Sequence, residues 1–512
     1  MAALLLAAMP MAAQETYENA KIVAEDLNGT ARYVGMGGAM DALGADISTI
    51  GTNPAGIGLF RSSNASASFG AVVQQGGESF GPGNKTNMSF DQVGFVYSNP
   101  SGKDGFLNVA FNYHKSRNFD YILSAADMLY NSSQNKLTYA KAKNGLLYET
   151  YKNDEGFILP NFNHSLVSCN QLDDIYSRNL NFDTGDNNWY YENAQNYTLN
   201  RAHKGYVGEY DFNISGNIAD RLFLGLTVGY HDVHYSHYGE YTELYDGLSL
   251  KVCDDRQIKG SGVDIKAGLI FRPIEYSPLR FGLSVSTPTW YELTTENYTS
   301  ITDGELTASN GEAYKFKLYT PWKFGVSMGH TLGNYMAFGA TYEFTDYSHL
   351  DTRYETGDYY DWWTDSYYTS SSSDEVMNAH TKKTLKSVST LKVGMELKPD
   401  KDFAVRLGYN YVSPMYKKDG WKDGTLNTDG SYYSSATDYT NWDATHRITC
   451  GFGYYLGPLS MDLAYQYTTT SGKFSPFMEY VDDQYPEENI TPHEVDVNNK
   501  RHQLIFTLGY RF

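Results

Sequence analysis

Apolar and polar residues alternate along most of the chain that follows residue 60. In LFLGLTVGY, residues 222–230, every second side chain from Leu222 to Tyr230 is apolar, and glycine and threonine stand among the positions between them. A period of two places neighbouring side chains on opposite faces of a β-strand. The pattern therefore predicts strands with one apolar face. It recurs in residues 336–344, 403–411, 459–467 and 504–512.

The alternating stretches predict about fourteen strands, and their connections fall into two length classes. We expect strands near residues 64–73, 91–98, 105–115, 205–218, 222–235, 260–272, 279–287, 322–331, 334–347, 386–397, 402–412, 445–456, 459–469 and 500–512. Seven long connections interleave with six short ones, at Asn99–Asp104, Ala219–Arg221, Pro273–Pro278, Leu332–Gly333, Pro399–Lys401 and Gly457–Pro458. Short turns on one side and long loops on the other are typical of a bacterial outer-membrane barrel, whose sheet must close because every backbone group needs a partner in hydrocarbon. The sequence thus predicts an all-β fold, a transmembrane antiparallel β-barrel over residues 61–512.

The overall composition is compatible with a barrel and excludes some other classes. A mean hydropathy of −0.49 would argue against a membrane protein, but in a barrel only alternate residues meet lipid. No internal run of about 18 apolar residues exists, which argues against a transmembrane helix. The 46 tyrosines fit rings placed at two membrane–water interfaces. A formal net charge of −20 argues against a nucleic-acid partner.

Both ends of the chain indicate export. Residues 1–13, MAALLLAAMPMAA, are similar to the apolar region of a signal peptide, although the basic residues that normally precede it are missing. The final stretch LIFTLGYRF is an alternating strand that ends in Phe512. It resembles the signal by which bacterial barrel-assembly machinery recognises its clients. We therefore expect an outer-membrane location, with membrane lipids and lipopolysaccharide as neighbours.

Residues 14–60 differ from the rest because they are rich in glycine and alanine. Asn53 followed by Pro54 is typical of a helix start, since asparagine caps free N–H groups and proline at the first helical position loses no hydrogen bond. A second short helix is expected over Asp41–Ile50. Small helices of this kind suit the confined lumen of a barrel, and the segment is predicted to plug it. A glycine-rich loop before the first strand is the alternative.

The order of residues in this segment carries a family resemblance. The runs Gly35-Met-Gly-Gly-Ala39, Asp46-Ile-Ser-Thr-Ile50 and Asn53-Pro-Ala-Gly56 resemble the N-terminal hatch of FadL-type outer-membrane transporters of long-chain fatty acids and other hydrophobic compounds. The resemblance implies passive, gated diffusion past the hatch, followed by lateral release into the bilayer. It also implies that Asn53, Pro54 and Ala55 hold the shape of the hatch. The glycines that would permit its movement are Gly35, Gly37, Gly38 and Gly56.

Two other functions remain open at this stage. One is a structural or shuttle barrel whose long loops bind a protein partner. The other is a haem or metal receptor that uses His231 and its neighbours His234 and His237, of which the first and last share one face of a strand. The residues that bind the hydrophobic ligand cannot be assigned from the sequence, and neither a cofactor nor a metal site is expected.

No catalytic constellation stands out. Gly325-Val-Ser327-Met-Gly329 matches the G-x-S-x-G pattern, but that chemistry needs a turn between a strand and a helix, whereas Ser327 is predicted within a strand. The chain is therefore not expected to be an enzyme.

The long connections carry a few further expectations. Cys169 and Cys253 fall in predicted loops, and Asp173-Asp174 lacks the spacing of a calcium site. Short helices are expected over Leu123–Tyr130 and Leu137–Tyr148, within the connection Ser116–Lys204.

Overall fold

The computed structural model describes most of the chain. The described residues are 16–101, 105–134, 136–137, 148–152, 158–162, 181–183, 188–191, 193–302, 307–363, 366–424, 437–481, 486 and 489–512. The expected signal-peptide remnant 1–13, Cys169 and Asp173-Asp174 lie outside these residues, as does most of Leu137–Tyr148. Among the described residues, no helix is long and apolar enough to cross a membrane.

The described elements are three α-helices, three short 3-10 helices and twenty-three strands. The helices are α1 (Thr16–Val23), α2 (Ala31–Gly35) and α3 (Glu375–Thr384), with 3-10 turns at Ile47–Gly51, Pro54–Leu59 and Tyr347–His349. The strands are β1 (Asn64–Gln75), β2 (Thr86–Ser101), β3 (Gly105–Asn118), β4 (Tyr121–Met128), β5 (Tyr148–Lys152), β6 (Ile158–Phe162), β7 (Asn181–Asp183), β8 (Asn188–Tyr190), β9 (Asn196–Ile218), β10 (Leu222–Leu244), β11 (Ser249–Phe271), β12 (Arg280–Ser286), β13 (Trp290–Thr302), β14 (Thr307–Tyr319), β15 (Lys323–Leu332), β16 (Met336–Asp346), β17 (Asp351–Asp361), β18 (Ser366–Ser373), β19 (Ser387–Leu397), β20 (Phe403–Val412), β21 (Tyr439–Leu456), β22 (Leu459–Ser475) and β23 (Val495–Arg511).

Fourteen of these strands close into one antiparallel barrel, as the alternation predicts. The wall consists of β1, β2, β3, β9, β10, β11, β12, β15, β16, β19, β20, β21, β22 and β23. The last strand pairs with the first, from Asn64 opposite Arg511 to Gln75 opposite Lys500. The N–H of Phe512 extends this seam by donating to the carbonyl of Ser63 at 3.1 Å. Closure leaves no unpaired edge at the seam.

The apolar faces of the strands point outward. Along β10, Leu224, Leu226 and Val228 are exposed, whereas Thr227 is fully buried toward the lumen. The same arrangement holds in β23, where Leu504, Phe506, Leu508 and Tyr510 are exposed. An apolar outer band around a polar interior is the arrangement expected of a barrel that spans a membrane.

Several long connections are strands rather than loops. β9, β10 and β11 are each 23 residues long, so that residues 236–259, expected to be mostly loop, form a ladder that includes Cys253. The helix expected over Leu123–Tyr130 is wrong, because β4 occupies Tyr121–Met128 and pairs with β9. Pairing with a long neighbouring strand overrides weak local helix propensity.

The helix expected over Asp41–Ile50 is also wrong. Gly44 and Ala45 adopt the left-handed region, with φ of 61° and 52°, which ends any right-handed helix. A 3-10 turn then begins at Ile47, and the side chain of Asp46 caps it by accepting from Ser48 N at 3.0 Å.

Candidate functional site

Residues 16–60, called here the N-terminal segment, lie inside the barrel and bond to its wall at many points. The carbonyls of Gly35, Leu43, Ile50 and Ile57 accept hydrogen bonds from Thr449, Arg280, Thr227 and Asn108, at 3.2, 2.8, 3.1 and 2.6 Å. These donors belong to β21, β12, β10 and β3, which lie on different sides of the lumen. Polar side chains of the wall thus satisfy a backbone that would otherwise be buried without partners.

The Asn53-Pro54-Ala55 triplet forms the helix start that the sequence predicts. The side chain of Asn53 accepts from the N–H of Ala55 at 3.2 Å, and Pro54 occupies the first position of the 3-10 turn. Ala55 is completely buried and packs with Phe223 and Ile270 of the wall. The triplet thus caps the turn and packs against the wall where the segment meets β10 and β11, while its part in holding the shape of the segment stays a prediction.

A row of wall glycines contacts the part of the N-terminal segment that follows Thr30. Residues 16–30 are called here the upper half of the segment and residues 31–60 its lower half. The row consists of Gly329, Gly339, Gly394 and Gly408, which face one another across β15, β16, β19 and β20. A Cβ at Gly394 would lie 2.9 Å from the carbonyl carbon of Met36, and one at Gly339 would lie 2.9 Å from that of Ala39. Such distances are far inside van der Waals contact, so that only glycine lets the two backbones approach this closely.

Glycines of the segment complete this contact. Gly37 has a φ of 65°, and a Cβ there would lie 2.8 Å from the backbone nitrogen of Tyr409. A Cβ at Gly35 would lie 3.3 Å from the Cα of Gly451. Gly38 also has a positive φ, and Gly56 packs against Thr49 and Gly44. In this structure these glycines serve close packing, while their part in any movement of the segment stays a prediction.

A gap opens in the wall between β2 and β3. The ladder between the two strands begins at Gln92 opposite His114 and continues toward Ser101. On the other side of this pair, residues 86–90 of β2 form ladder pairs only with β1, and residues 115–118 of β3 only with β9, within the described part of the chain. One side-chain bond spans the gap, from Nζ of Lys115 to the hydroxyl of Ser89 at 2.9 Å. Farther along, the amide of Gln74 bonds to both the N–H and the carbonyl of Ile122, at 2.8 and 2.7 Å. The unpaired stretch between these two closures is called here the window.

The N-terminal segment fills the window. The N–H of Asp26 donates to the carbonyl of Ser116 at 2.8 Å, and the Asn28 amide donates to the carbonyl of Lys115 at 3.0 Å. Asn28 also donates to Asp91 of β2 at 3.1 Å, so that it joins both sides of the gap. The segment thus takes the place that a neighbouring strand would occupy.

Asp26 is the centre of a charge cluster at the window. Its carboxylate lies 3.1 Å from Arg117, 3.1 Å from Arg501 and 3.5 Å from Arg447, and it accepts from the N–H of Asn118 at 3.0 Å. Burial alone would raise the pKa of Asp26, but the three guanidinium groups outweigh burial and hold that pKa well below its usual range. Three guanidinium groups surround this one carboxylate, so that positive charge is in excess within the cluster.

A cavity of about 330 Å³ connects the N-terminal segment to the window. Its lining includes Asp26, Asn28, Arg117, Arg447 and Arg501 together with wall aromatics and aliphatics. The volume is within the range of small-molecule sites. The apolar part of the lining includes Ile22, Val23, Phe119, Val207, Tyr291, Tyr347 and Trp442.

The histidines at 231, 234 and 237 lie in the middle of β10. His231 and His237 point into the lumen and His234 points outward, with 45% of its side chain exposed, in agreement with the predicted alternation. Both ring nitrogens of His237 are engaged, one with Asp254 at 2.6 Å and one with Tyr235 at 2.9 Å. His237 therefore offers no vacant position for haem iron in this arrangement.

Ser327 lies within β15, between Lys323 and Leu332, as expected. A hydroxyl in a continuous strand does not form the strained turn that a nucleophile of this type requires.

Sequence reasoning missed Asp26 and its arginines. Arg117, Arg447 and Arg501 lie 91, 421 and 475 positions from Asp26, so that no local spacing joins them. Alternation along the strands was the one sequence feature that could have indicated these arginines. Because Ile448 faces outward, its neighbour Arg447 must face the lumen.

Comparison with solved structures finds the same architecture. The chain has 11% identity and a TM-score of 0.51 with a FadL homologue of Pseudomonas aeruginosa, over 95% of this chain and 99% of that chain. The toluene transporter TbuX of Ralstonia pickettii gives 12% identity and a TM-score of 0.48, over 95% and 99%. The toluene transporter TodX of Pseudomonas putida gives 10% and 0.46, over 96% and 99%. No family model and no curated protein matches the sequence.

The closed sheet and its apolar outer band define the class, a transmembrane β-barrel of the bacterial outer membrane. Its fold is the FadL-type fold that the residues around Asn53 suggest.

Proposed function

We propose that the protein admits hydrophobic small molecules, such as long-chain fatty acids, through the outer membrane by passive, gated diffusion. The observation that carries this proposal is the cavity, which touches both the N-terminal segment and the window in the wall. Transport of hydrophobic compounds by structural neighbours, such as the two toluene transporters, supports it. An apolar molecule gains little from an aqueous pore, but it stays out of water along a lined cavity that ends at the bilayer.

The cavity suits an amphipathic ligand with an acidic head. Nε of Arg117 and Nε of Arg447 are buried and have no hydrogen-bond partner among the described residues. A carboxylate near Asp26 would receive these donors, because guanidinium groups bind carboxylates with charge-assisted hydrogen bonds. The alkyl chain would lie against Phe119, Val207 and Tyr291.

Release would pass through the window into the membrane. For that, residues Asp26–Asn28 must leave the edge of β3, since they occupy it in this structure. In this role the N-terminal segment is a hatch whose domain spans residues 14–60, and Asn53, Pro54 and Ala55 hold its lower part in shape.

The membrane setting suggests further partners. We expect lipids and lipopolysaccharide around the apolar band, and barrel-assembly machinery at β23, where Phe512 is 68% exposed.

Uptake of a fluorescent long-chain fatty acid tests the function. Cells that lack their own transporter would express the wild type or a variant with Arg117 and Arg447 both changed to glutamine. We expect saturable uptake by the wild type and a loss on the order of tenfold or more in the variant. Mass spectrometry of lipid that copurifies with each protein gives an independent readout. Wild-type cells that take up no more than cells without the protein would contradict the proposal.

A reversible cross-link tests lateral release. Cysteines would replace Asn28 and Asp91, and serines would replace the native Cys169, Cys253 and Cys450. A short bifunctional thiol reagent then ties the segment to β2. A matched control links positions 66 and 92, where Ser66 and Gln92 are hydrogen-bonded within the β1–β2 ladder. Uptake should stop only in the first variant and should return on reduction. Unchanged uptake after complete cross-linking at the window would exclude this route.

A further inference from the structure

A second charged cluster lies in the lumen, and most of its members line the same cavity as the arginines. Four neighbouring strands contribute to it, and its side chains face one another across the ladder. Its members are His114 of β3, Glu209 and Asp211 of β9, His231 of β10, and Asp264 and Lys266 of β11. The transport route proposed above does not use this cluster.

Negative charge is in excess within the cluster. Nζ of Lys266 contacts Glu209 and lies 2.9 Å from Asp211 and 3.6 Å from Asp264. Three carboxylates thus share one ammonium in a site where their side chains are between 0% and 8% exposed. Buried charges require a compensating partner, and one lysine does not supply it.

Two buried atoms point to the missing partner. Oδ2 of Asp211, on a fully buried side chain, has no hydrogen-bond partner among the described residues, and it lies 3.7 Å from Nδ1 of His114. Nδ1 of His231 is likewise without a hydrogen bond in the described part of the molecule. This nitrogen of His231 lies 3.8 Å from Oε2 of Glu209. The same oxygen lies 3.6 Å from Nε2 of His114.

These separations are too long for hydrogen bonds. Asp211 lies nearest to Nδ1 of His114 and Glu209 nearest to Nε2, so that one metal ion would use a single imidazole nitrogen together with one oxygen from each carboxylate. Metal–ligand bonds of about 2.0–2.1 Å at a tetrahedral angle separate two ligand atoms by roughly 3.3 Å. One ligand atom each from His114, Glu209 and Asp211 can be chosen so that all lie within 4.8 Å of one another. A small closure of the side chains would bring them to bonding distance.

We propose that His114, Glu209 and Asp211 bind one divalent transition-metal ion. One imidazole and two carboxylates form a mixed nitrogen and oxygen set that suits Zn²⁺ and its first-row neighbours. The ion supplies the positive charge that Lys266 alone does not. His231 bonds to Asp264 at 3.1 Å through Nε2, and this pair lies beside the ligands, where such contacts orient a metal site.

The ion would lie between the wall and the N-terminal segment. It would bridge β3 and β9, and β3 is the strand that borders the window. Gly51 of the segment covers the site, because a Cβ there would lie 3.4 Å from Cε1 of His114 and 3.5 Å from Oδ2 of Asp211. The sequence gives no sign of such a site, since its ligands come from strands about ninety-five positions apart.

Metal titration of the purified full-length barrel tests the inference. Protein in detergent would be freed of metal with a chelator, desalted and titrated with Zn²⁺ by calorimetry, and with Co²⁺ by visible absorption. We expect one Zn²⁺ per chain and a Co²⁺ spectrum that Zn²⁺ abolishes. Asp211→Asn and His114→Gln should each weaken binding on the order of a hundredfold or more. The matched controls are Asp232→Asn and His234→Gln, since this pair lies outside the lumen on the same sheet, at 2.9 Å.

Binding by folded variants decides whether the assignment of the metal ligands is correct. Folded variants are recognised by the mobility shift that barrels show on heating before electrophoresis. Binding that survives in folded Asp211→Asn would overturn the assignment, as would control variants that bind as weakly as the ligand variants. Should neither ligand variant fold, the wild type decides alone, because the absence of stoichiometric Zn²⁺ binding refutes the site. Fatty-acid uptake is measured separately, so that failure here leaves the proposed function standing.

Discussion

Replacing Asp26 with asparagine should release the N-terminal segment from the window. The substitution removes the carboxylate charge that lies among Arg117, Arg447 and Arg501. It preserves the shape of the side chain and the hydrogen bond from the N–H of Asn118. Removing one partner of a fully buried ion pair costs about 3–5 kcal/mol, whereas exposed pairs contribute about 0–1 kcal/mol. Arg117 is 23% exposed and the cavity admits water, so that an intermediate value of about 2–3 kcal/mol is expected.

Hydrogen exchange measures this change directly. A loss of 2–3 kcal/mol corresponds to roughly a 30- to 150-fold rise in the ratio of released to bound segment. Backbone amides of residues 24–30 should exchange faster by that factor, because the N–H of Asp26 is protected by its bond to Ser116. A peptide from residues 35–56 serves as an internal control, and Asp232→Asn on the outer surface is the matched substitution. Exchange of residues 24–30 within about threefold of the wild type would refute the electrostatic account.

Three further predictions follow from the same contacts. Because the pKa of Asp26 is lowered, the contribution of its ion pairs is complete above the ordinary carboxyl pKa and is lost only as pH falls through the lowered one. Protection of residues 24–30, corrected for intrinsic exchange, should thus be constant between about pH 8 and pH 5, and a steady loss over that range would contradict this sign. Gly394→Ala places a Cβ 2.9 Å from the carbonyl carbon of Met36 and should lower the thermal unfolding midpoint by the equivalent of about 1–3 kcal/mol, whereas Gly81→Ala, in open space, should leave it unchanged. Glu396→Gln removes the carboxylate that Arg32 and the fully buried Arg406 share, at 3.0 and 2.7 Å. It should lower the free energy of unfolding by about 3 kcal/mol, measured by the same thermal midpoint. An unchanged midpoint would show that Asp462 alone satisfies Arg406.

The membrane-spanning part of the fold could be predicted from the sequence because the bilayer imposes a simple rule. Lipid outside and water inside force alternation, so that Leu224, Leu226 and Val228 mark one strand and the short turns mark one end of the barrel. Outside the bilayer this alternation is no longer required of a strand. Residues 236–259 belong mostly to β10 and β11, but they contain few aliphatic side chains. Their sequence is therefore similar to that of a loop.

The window and both charged clusters could not be predicted for a different reason. Each joins side chains from strands far apart in the sequence, such as Asp26 and Arg501, and only the closed barrel brings them together. The glycines of the wall were visible as part of the polar face. Their alignment into one row, from Gly329 to Gly408, depends on a register that the sequence alone does not give.

The two halves of the N-terminal segment are held by different physics, and this difference bears on which half can move. The lower half lies backbone to backbone against the glycine row, where any displacement opens a void over several residues at once. In the upper half, α1 is anchored by the burial of Tyr17, Ile22 and Val23 in an apolar core. Residues 24–30 are held at the window by a few hydrogen bonds and by the charge of Asp26, which an incoming carboxylate can replace among the same arginines. A ligand shifts a conformational equilibrium only by the difference in its affinity for the two states. Here that difference concerns the bound and released states of the upper half, since the ligand competes for contacts of that half. Opening should accordingly be confined to residues 24–30, while α1 and the triplet Asn53, Pro54 and Ala55 stay in place.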